Sequence, residues 1–104
     1  MDKDLSIQTG LSESTLDMIR DMILSMPEIS QAIIFGSRAK GTWKEFSDID
    51  ISLKGNGVTH QTIVTLINRI DDLNLPYIFD FNRYDSLTNP LLREHIDRVG
   101  IPIL

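Results

Sequence analysis

Apolar positions change period several times along the chain, and each change predicts an element. Leu16, Ile19, Ile23 and Met26 recur every three or four residues, the spacing of one helix face, with Ser12 and Ser14 as candidate N-caps and Pro27 as the stop. Gln31-Ala-Ile-Ile-Phe35, a short branched run ended by Gly36, predicts a buried strand. Ser37 to Gly41 reads as a short helical turn. From Ser47 to Leu53 polar and apolar residues alternate, as on a strand with one wet face. Lys54-Gly-Asn-Gly57 is turn material. Ile63, Leu66, Ile67, Ile70 and Leu73 form a second helical stripe, which predicts helix over roughly 59–74. Pro76 separates it from a third strand, Tyr77–Phe81. Asn89 and Pro90 then read as N-cap and first position of a last helix, carried by Leu91, Leu92, His95, Ile96 and Val99 and ended by Gly100. Ile101 to Leu104 is an expected short edge strand. Residues 1–10 are polar and read as a loose tail.

Alternating helices and strands predict an α/β (α+β) domain with helices packed on one sheet. The 104 residues allow one domain, spanning 1–104, and leave little room for a separate domain to hold a large substrate. With 15 acidic against 10 basic residues the net charge is −5, which argues against a nucleic-acid binder. Metal ions can still neutralise nucleotide phosphates locally. Cys is absent, so disulfides and thiolate–zinc sites are excluded. No signal peptide or membrane span is apparent, so a cytoplasmic location is expected.

Three local signals bear on chemistry. Gly36-Ser37, where a strand opens into a helix, offers unpaired N–H groups and a hydroxyl to a phosphate chain; by itself it equally fits an ordinary capped turn. Asp48-Ile49-Asp50 puts two carboxylates on one strand face about 6.5–7 Å apart, with Ile49 and Ile51 on the other. Such a pair of hard oxygen donors suits Mg2+, although solvated charges near a strand start look the same. Asp80 lies among Ile78, Phe79 and Phe81, a costly setting unless it is paired or metal-bound. Asp85 is a rival third acid in a turn-like stretch. Arg38 and Lys40 flank the Gly-Ser turn and are candidates for phosphate contact. Trp43 and Phe46 either stack on a base or pack on their own domain. His60 and His95 read as surface or helix-face residues, and Met18, Met22 and Met26 as core filler.

In combination the signals are far more specific. Gly36-Ser37, ten intervening residues, Asp48-x-Asp50, and Asp80 in a later strand resemble the signature of the DNA polymerase β-like nucleotidyltransferases. Gly36-Ser-Arg-Ala-Lys-Gly41 followed by Ser47-Asp-Ile-Asp50 is similar to the minimal nucleotidyltransferase (MNT) branch. The resemblance implies a mixed sheet with helices against it and ATP or another NTP as donor. It puts Gly36, Ser37, Arg38 and Lys40 on the nucleotide, and Asp48, Asp50 and Asp80 as catalytic residues and ligands of two Mg2+ ions. Family members often carry Arg where this chain has Lys40, which keeps the charge but loses the bidentate fork. The resemblance also implies an antitoxin paired with a HEPN ribonuclease toxin in a hetero-oligomer, with AMP transferred to a toxin tyrosine. A masking antitoxin without catalysis and an enzyme acting on a small molecule are the rival readings.

Overall fold

The computed structural model describes residues 2–104. Its elements run α1 (Asp2–Thr9), α2 (Glu13–Leu24), β1 (Gln31–Phe35), α3 (Gly36–Lys40), β2 (Ile49–Lys54), α4 (His60–Asp71), β3 (Phe79–Arg83), a 3-10 turn (Tyr84–Ser86), α5 (Pro90–Val99) and β4 (Ile101–Pro102). The strands form one sheet in the order β3-β2-β1-β4. β1 pairs antiparallel with β2 and β4, whereas β2 and β3 are parallel, joined by a crossover through α4.

Capping chemistry sets the helix starts. Ser12 accepts from Thr15 N, Thr59 and Thr62 form a reciprocal capping box, and Asn89 accepts from Leu91 N and Leu92 N ahead of Pro90. Ser14, the other candidate cap, lies inside α2. β2 and β3 each begin two residues later than their periodicity suggests, at Ile49 and Phe79. β4 is confined to two residues, one of them Pro102, which has no N–H to donate to a ladder.

The two sheet faces are covered unequally. On one, Ala32, Ile34, Ile49, Ile51, Leu53 and Phe81 pack beneath Leu16, Ile19 and Ile23 of α2 and Leu66 and Ile70 of α4. On the other, a small cluster of Ile33, Phe35 and Ile96 fastens α5 over β1. Tyr84 locks α5 further: its hydroxyl donates to Asp97, and its ring lies between Lys54 Nζ at 4.2 Å and the Arg93 guanidinium at 4.6 Å. The end of this second face around Asp50 and Asp80 stays more open, whereas Ser52 further along β2 is buried. Among the described residues no helix is long and apolar enough to cross a membrane.

Two expectations are corrected here. The segment expected as a loose tail contains helix α1, which packs on α2 and α3; Gln8 Nε2 donates to Ala39 O at 2.7 Å, and Trp43 Nε1 donates to Gln8 O at 2.9 Å. Its apolar positions form no stripe that would reveal it; tertiary hydrogen bonds and the packing of Leu5 against the core hold it. Arg38, expected at the phosphates, is only 1% exposed. Its guanidinium donates to Thr9 O at 3.0 Å, Glu45 O at 3.3 Å and Ser47 O at 3.0 Å, between the rings of Trp43 and Tyr77. Burial pushes its pKa down from the ordinary value, opposed by Tyr77. Arg38 thus ties the end of α1 to the loop that leads into β2.

Removing that fork strands carbonyls in a low-dielectric interior. Arg38→Met is expected to cost about 2–4 kcal/mol in urea-induced unfolding, with α1 amides losing hydrogen-exchange protection before those of β1 and β2. Unchanged stability would mean that the loop carbonyls find water instead.

Candidate functional site

The candidate site sits where β1 ends and β2 and β3 begin, on the sheet face that α5 leaves open. Burial of Ile49, Ile51 and Leu53 turns the alternate residues of β2 to this face. Asp50 is in register with Phe35 of β1 on one side and with Asp80 of β3 on the other. Residues paired in this way share a face, so the carboxylates of Asp50 and Asp80 stand side by side. Asp48 precedes the strand by one residue, two positions from Asp50. Asp48 and Asp80 are exposed and Asp50 is half-buried.

Asp80 therefore escapes the burial cost that its apolar neighbours suggest. β3 is an edge strand whose Phe79 and Phe81 rings stack at 6.0 Å, and Phe81 is buried in the core on the far face. Asp85 lies in the 3-10 turn past the other end of β3, on the order of 10 Å or more along the strand from Asp80, and does not join the site.

The electrostatics record the convergence. The Asp50 carboxyl is pushed up to about 6, chiefly by burial, then by the negative charges of Asp80 and Asp48. Concentrated carboxylate charge of this kind is the chemistry that suits a hard divalent cation. The three side chains are not drawn into a finished cage: among the described residues no three His, Cys, Asp or Glu side chains form a group that could hold a metal ion.

Gly36 adjoins this cluster. Its φ is +71°, and a Cβ built on it would meet Asp50 Oδ2, so its backbone conformation disfavours a side chain and Asp50 would have to shift to admit one. The turn thus lies directly against Asp50, with Ser37 beside it, half-buried, and Lys40 exposed three residues on. The Gly36 N–H donates to His95 Nε2 of α5 at 3.1 Å. His95 is half-buried and meets Phe35 edge-to-face at 6.3 Å between ring centres. Of the two readings of His95, surface or helix-face residue, the structure has the second: it lies on the face of α5 turned to Phe35 and Gly36. Its position one residue before the core residue Ile96 was the available signal. Trp43 packs on its own domain, as its bond to Gln8 shows, while Phe46 is exposed in the loop before Asp48.

In this chain the four-stranded mixed sheet with helices against it takes the nucleotidyltransferase fold. The chain belongs to the polymerase β nucleotidyltransferase family, which it matches over residues 17–104. Among solved structures, a mutant form of the toxin–antitoxin MntA–HpeT aligns with a TM-score of 0.71 and 16% identity, over 86% of this chain and 72% of that one. A toxin–antitoxin with AMP-PNP aligns with a TM-score of 0.66 and 18% identity, over 86% and 72% of the two chains. At these identities the likeness is one of fold. No curated protein matches the chain at a comparable level.

The raised pKa of Asp50 has a definite sign. A carboxyl whose folded pKa exceeds its unfolded value favours the fold at pH below about 4, and that contribution is lost as pH rises through about 6. Asp50→Asn should therefore flatten the decline in stability that runs from about pH 4 to just above pH 6. At pH 8 it should gain about 1–2 kcal/mol, the full linkage value of roughly 3 kcal/mol being reduced by solvent screening. Parallel thermal melts of both proteins across that range check this; parallel curves would contradict it. Gly36→Ala should lose about 1–3 kcal/mol in chemical denaturation, from its backbone conformation and the contact with Asp50. Wild-type stability of that variant would show that the turn accommodates a side chain.

Proposed function

We propose that this protein is an Mg2+-dependent nucleotidyltransferase that moves AMP from ATP to a hydroxyl of a partner protein, and so acts as an antitoxin. The observation that carries the reading is the pairing of Asp50 with Asp80 across β2 and β3, against the glycine of the Gly36-Ser37 turn. Family membership supports nucleotidyl transfer. The two similar structures are toxin–antitoxin assemblies, one with an ATP analogue, which supports ATP as donor and a toxin as partner.

In this reading Asp48, Asp50 and Asp80 would hold the metal. When bound, Mg2+ supplies charge neutralisation for the triphosphate and the departing pyrophosphate. Ser37, with its hydroxyl and backbone N–H, and Lys40, with its ammonium group, bind the phosphate chain; Gly36 lets it come close to the backbone. Arg38 acts from behind, by fixing the loop that delivers Asp48. The acceptor oxygen forms the new bond to the α-phosphorus, and the bond to the pyrophosphate oxygen breaks with its electron pair leaving on pyrophosphate. Asp80, solvent-exposed at the sheet edge, accepts the hydroxyl proton. The acceptor in this reading is a tyrosine of a HEPN ribonuclease encoded beside this protein.

The test is incubation of the full chain with that neighbour, Mg2+ and ATP, read by intact-mass spectrometry. One AMP per modified site is expected on the neighbour. Asp50→Ala should cut the rate at least about a thousandfold, as removal of a metal ligand at the reacting centre would, while leaving the complex intact. Full protection from toxicity by Asp50→Ala would instead establish masking by contact, and absence of any added mass would remove the AMP-transfer assignment.

A further inference from the structure

We infer that His95 is a positioning residue for nucleotide binding: it holds the peptide group that leads into the Gly36-Ser37 turn and thereby aims Ser37. The inference rests on the nucleotide reading above.

At a strand-to-helix turn the first N–H groups have no helical partner. Here the Gly36 N–H does have one, the Nε2 of His95 at 3.1 Å. An accepting Nε2 requires the ring proton on Nδ1. The ring is itself held: Phe35 packs against it edge-on, and Ile96, its neighbour on α5, is buried with Ile33 and Phe35. Asn89 and Pro90 fix the start of that helix, and the Tyr84–Asp97 bond anchors its far side. His95 is thus a rigid acceptor carried on an element separate from the turn.

Two consequences follow for the site. The Gly36 N–H is already engaged, so a phosphate chain has to be met by Ser37 and the residues after it. The Phe35–Gly36 peptide is also pinned from both sides, by β1 and by His95. Asp50 occupies the space that a Cβ on Gly36 would take, so the turn stands close to that carboxylate. One imidazole therefore fixes the phosphate-binding turn relative to the carboxylates. Glycine, the most permissive residue, needs such an outside restraint if its neighbour is to present a single geometry.

The test compares the full chain with His95→Leu, which keeps apolar volume without an acceptor, and His95→Gln, whose side-chain carbonyl reaches to about the Nε2 position. Amide exchange at Gly36 is followed by NMR, and binding of Mg–ATP by calorimetry. His95→Leu should lose protection at Gly36 and weaken Mg–ATP about 3- to 10-fold, the share expected of one neutral hydrogen bond, with the response to Mg2+ alone unchanged. His95→Gln should restore both. If His95→Leu does not fold, His95→Asn, whose amide is too short to reach Gly36, replaces it. Wild-type affinity in the variants lacking an acceptor overturns the inference, as does His95→Gln binding as weakly as they do. Failure of the unaltered chain to bind Mg–ATP removes the nucleotide reading itself, and this inference with it.

Discussion

Every feature of the site depends on the apolar anchoring of one face of β2. Ile49, Ile51 and Leu53 are fully buried or nearly so, and the two-residue period of a strand then leaves Asp50 no choice of face. β1 and β3 flank β2 in opposite senses, so residues that share the face of Asp50 come from both neighbours. Hydrophobic burial on one side thus holds mutually repelling charges together on the other. A one-residue slip of β2 would send Asp50 into the core and Ile49 and Ile51 to water.

Much of this was legible in the sequence because it is periodic. The alternation around Ser47–Leu53, the stripes of α2 and α4, and the Asn89-Pro90 start of α5 each follow from local chemistry, and each element exists in the folded chain. Gly36-Ser37 and Asp48-x-Asp50 could be paired as one signature because their spacing is itself sequence information. What escaped was tertiary. Helix α1 is held by Gln8, Thr9 and their partners more than thirty positions away or nearly so, and no stripe announces it. Arg38 stands beside the glycine–serine turn in sequence but points into the protein, and an arginine's neighbours do not reveal its direction. Asp80 stands out in the sequence for its apolar flanks, yet Phe79 and Phe81 pack to one side of an edge strand, Ile78 is exposed, and the carboxylate is left in solvent.

The cationic side chains near the site therefore divide by depth. Arg38 is consumed by main-chain carbonyls in the interior, whereas Lys40 stands exposed on the outer side of α3. A buried guanidinium with three carbonyl acceptors on two separate segments works as a cross-link. It joins the N-terminal helix to the approach to Asp48 without drawing on the apolar core, so the loop's geometry and the sheet's packing are maintained by different forces.

The contact between Gly36 and Asp50 also binds the sequence to itself. These positions lie on different elements, yet what one tolerates is set by what occupies the other. While a carboxylate stands at position 50, a side chain at position 36 would have to displace it. If residue 50 were shortened, the space would open but the left-handed backbone would still favour glycine. The two reasons for glycine are separable, one conformational and one steric. Substitutions at the pair should consequently fail to add: the cost of filling position 36 depends on whether the charge opposite is still there.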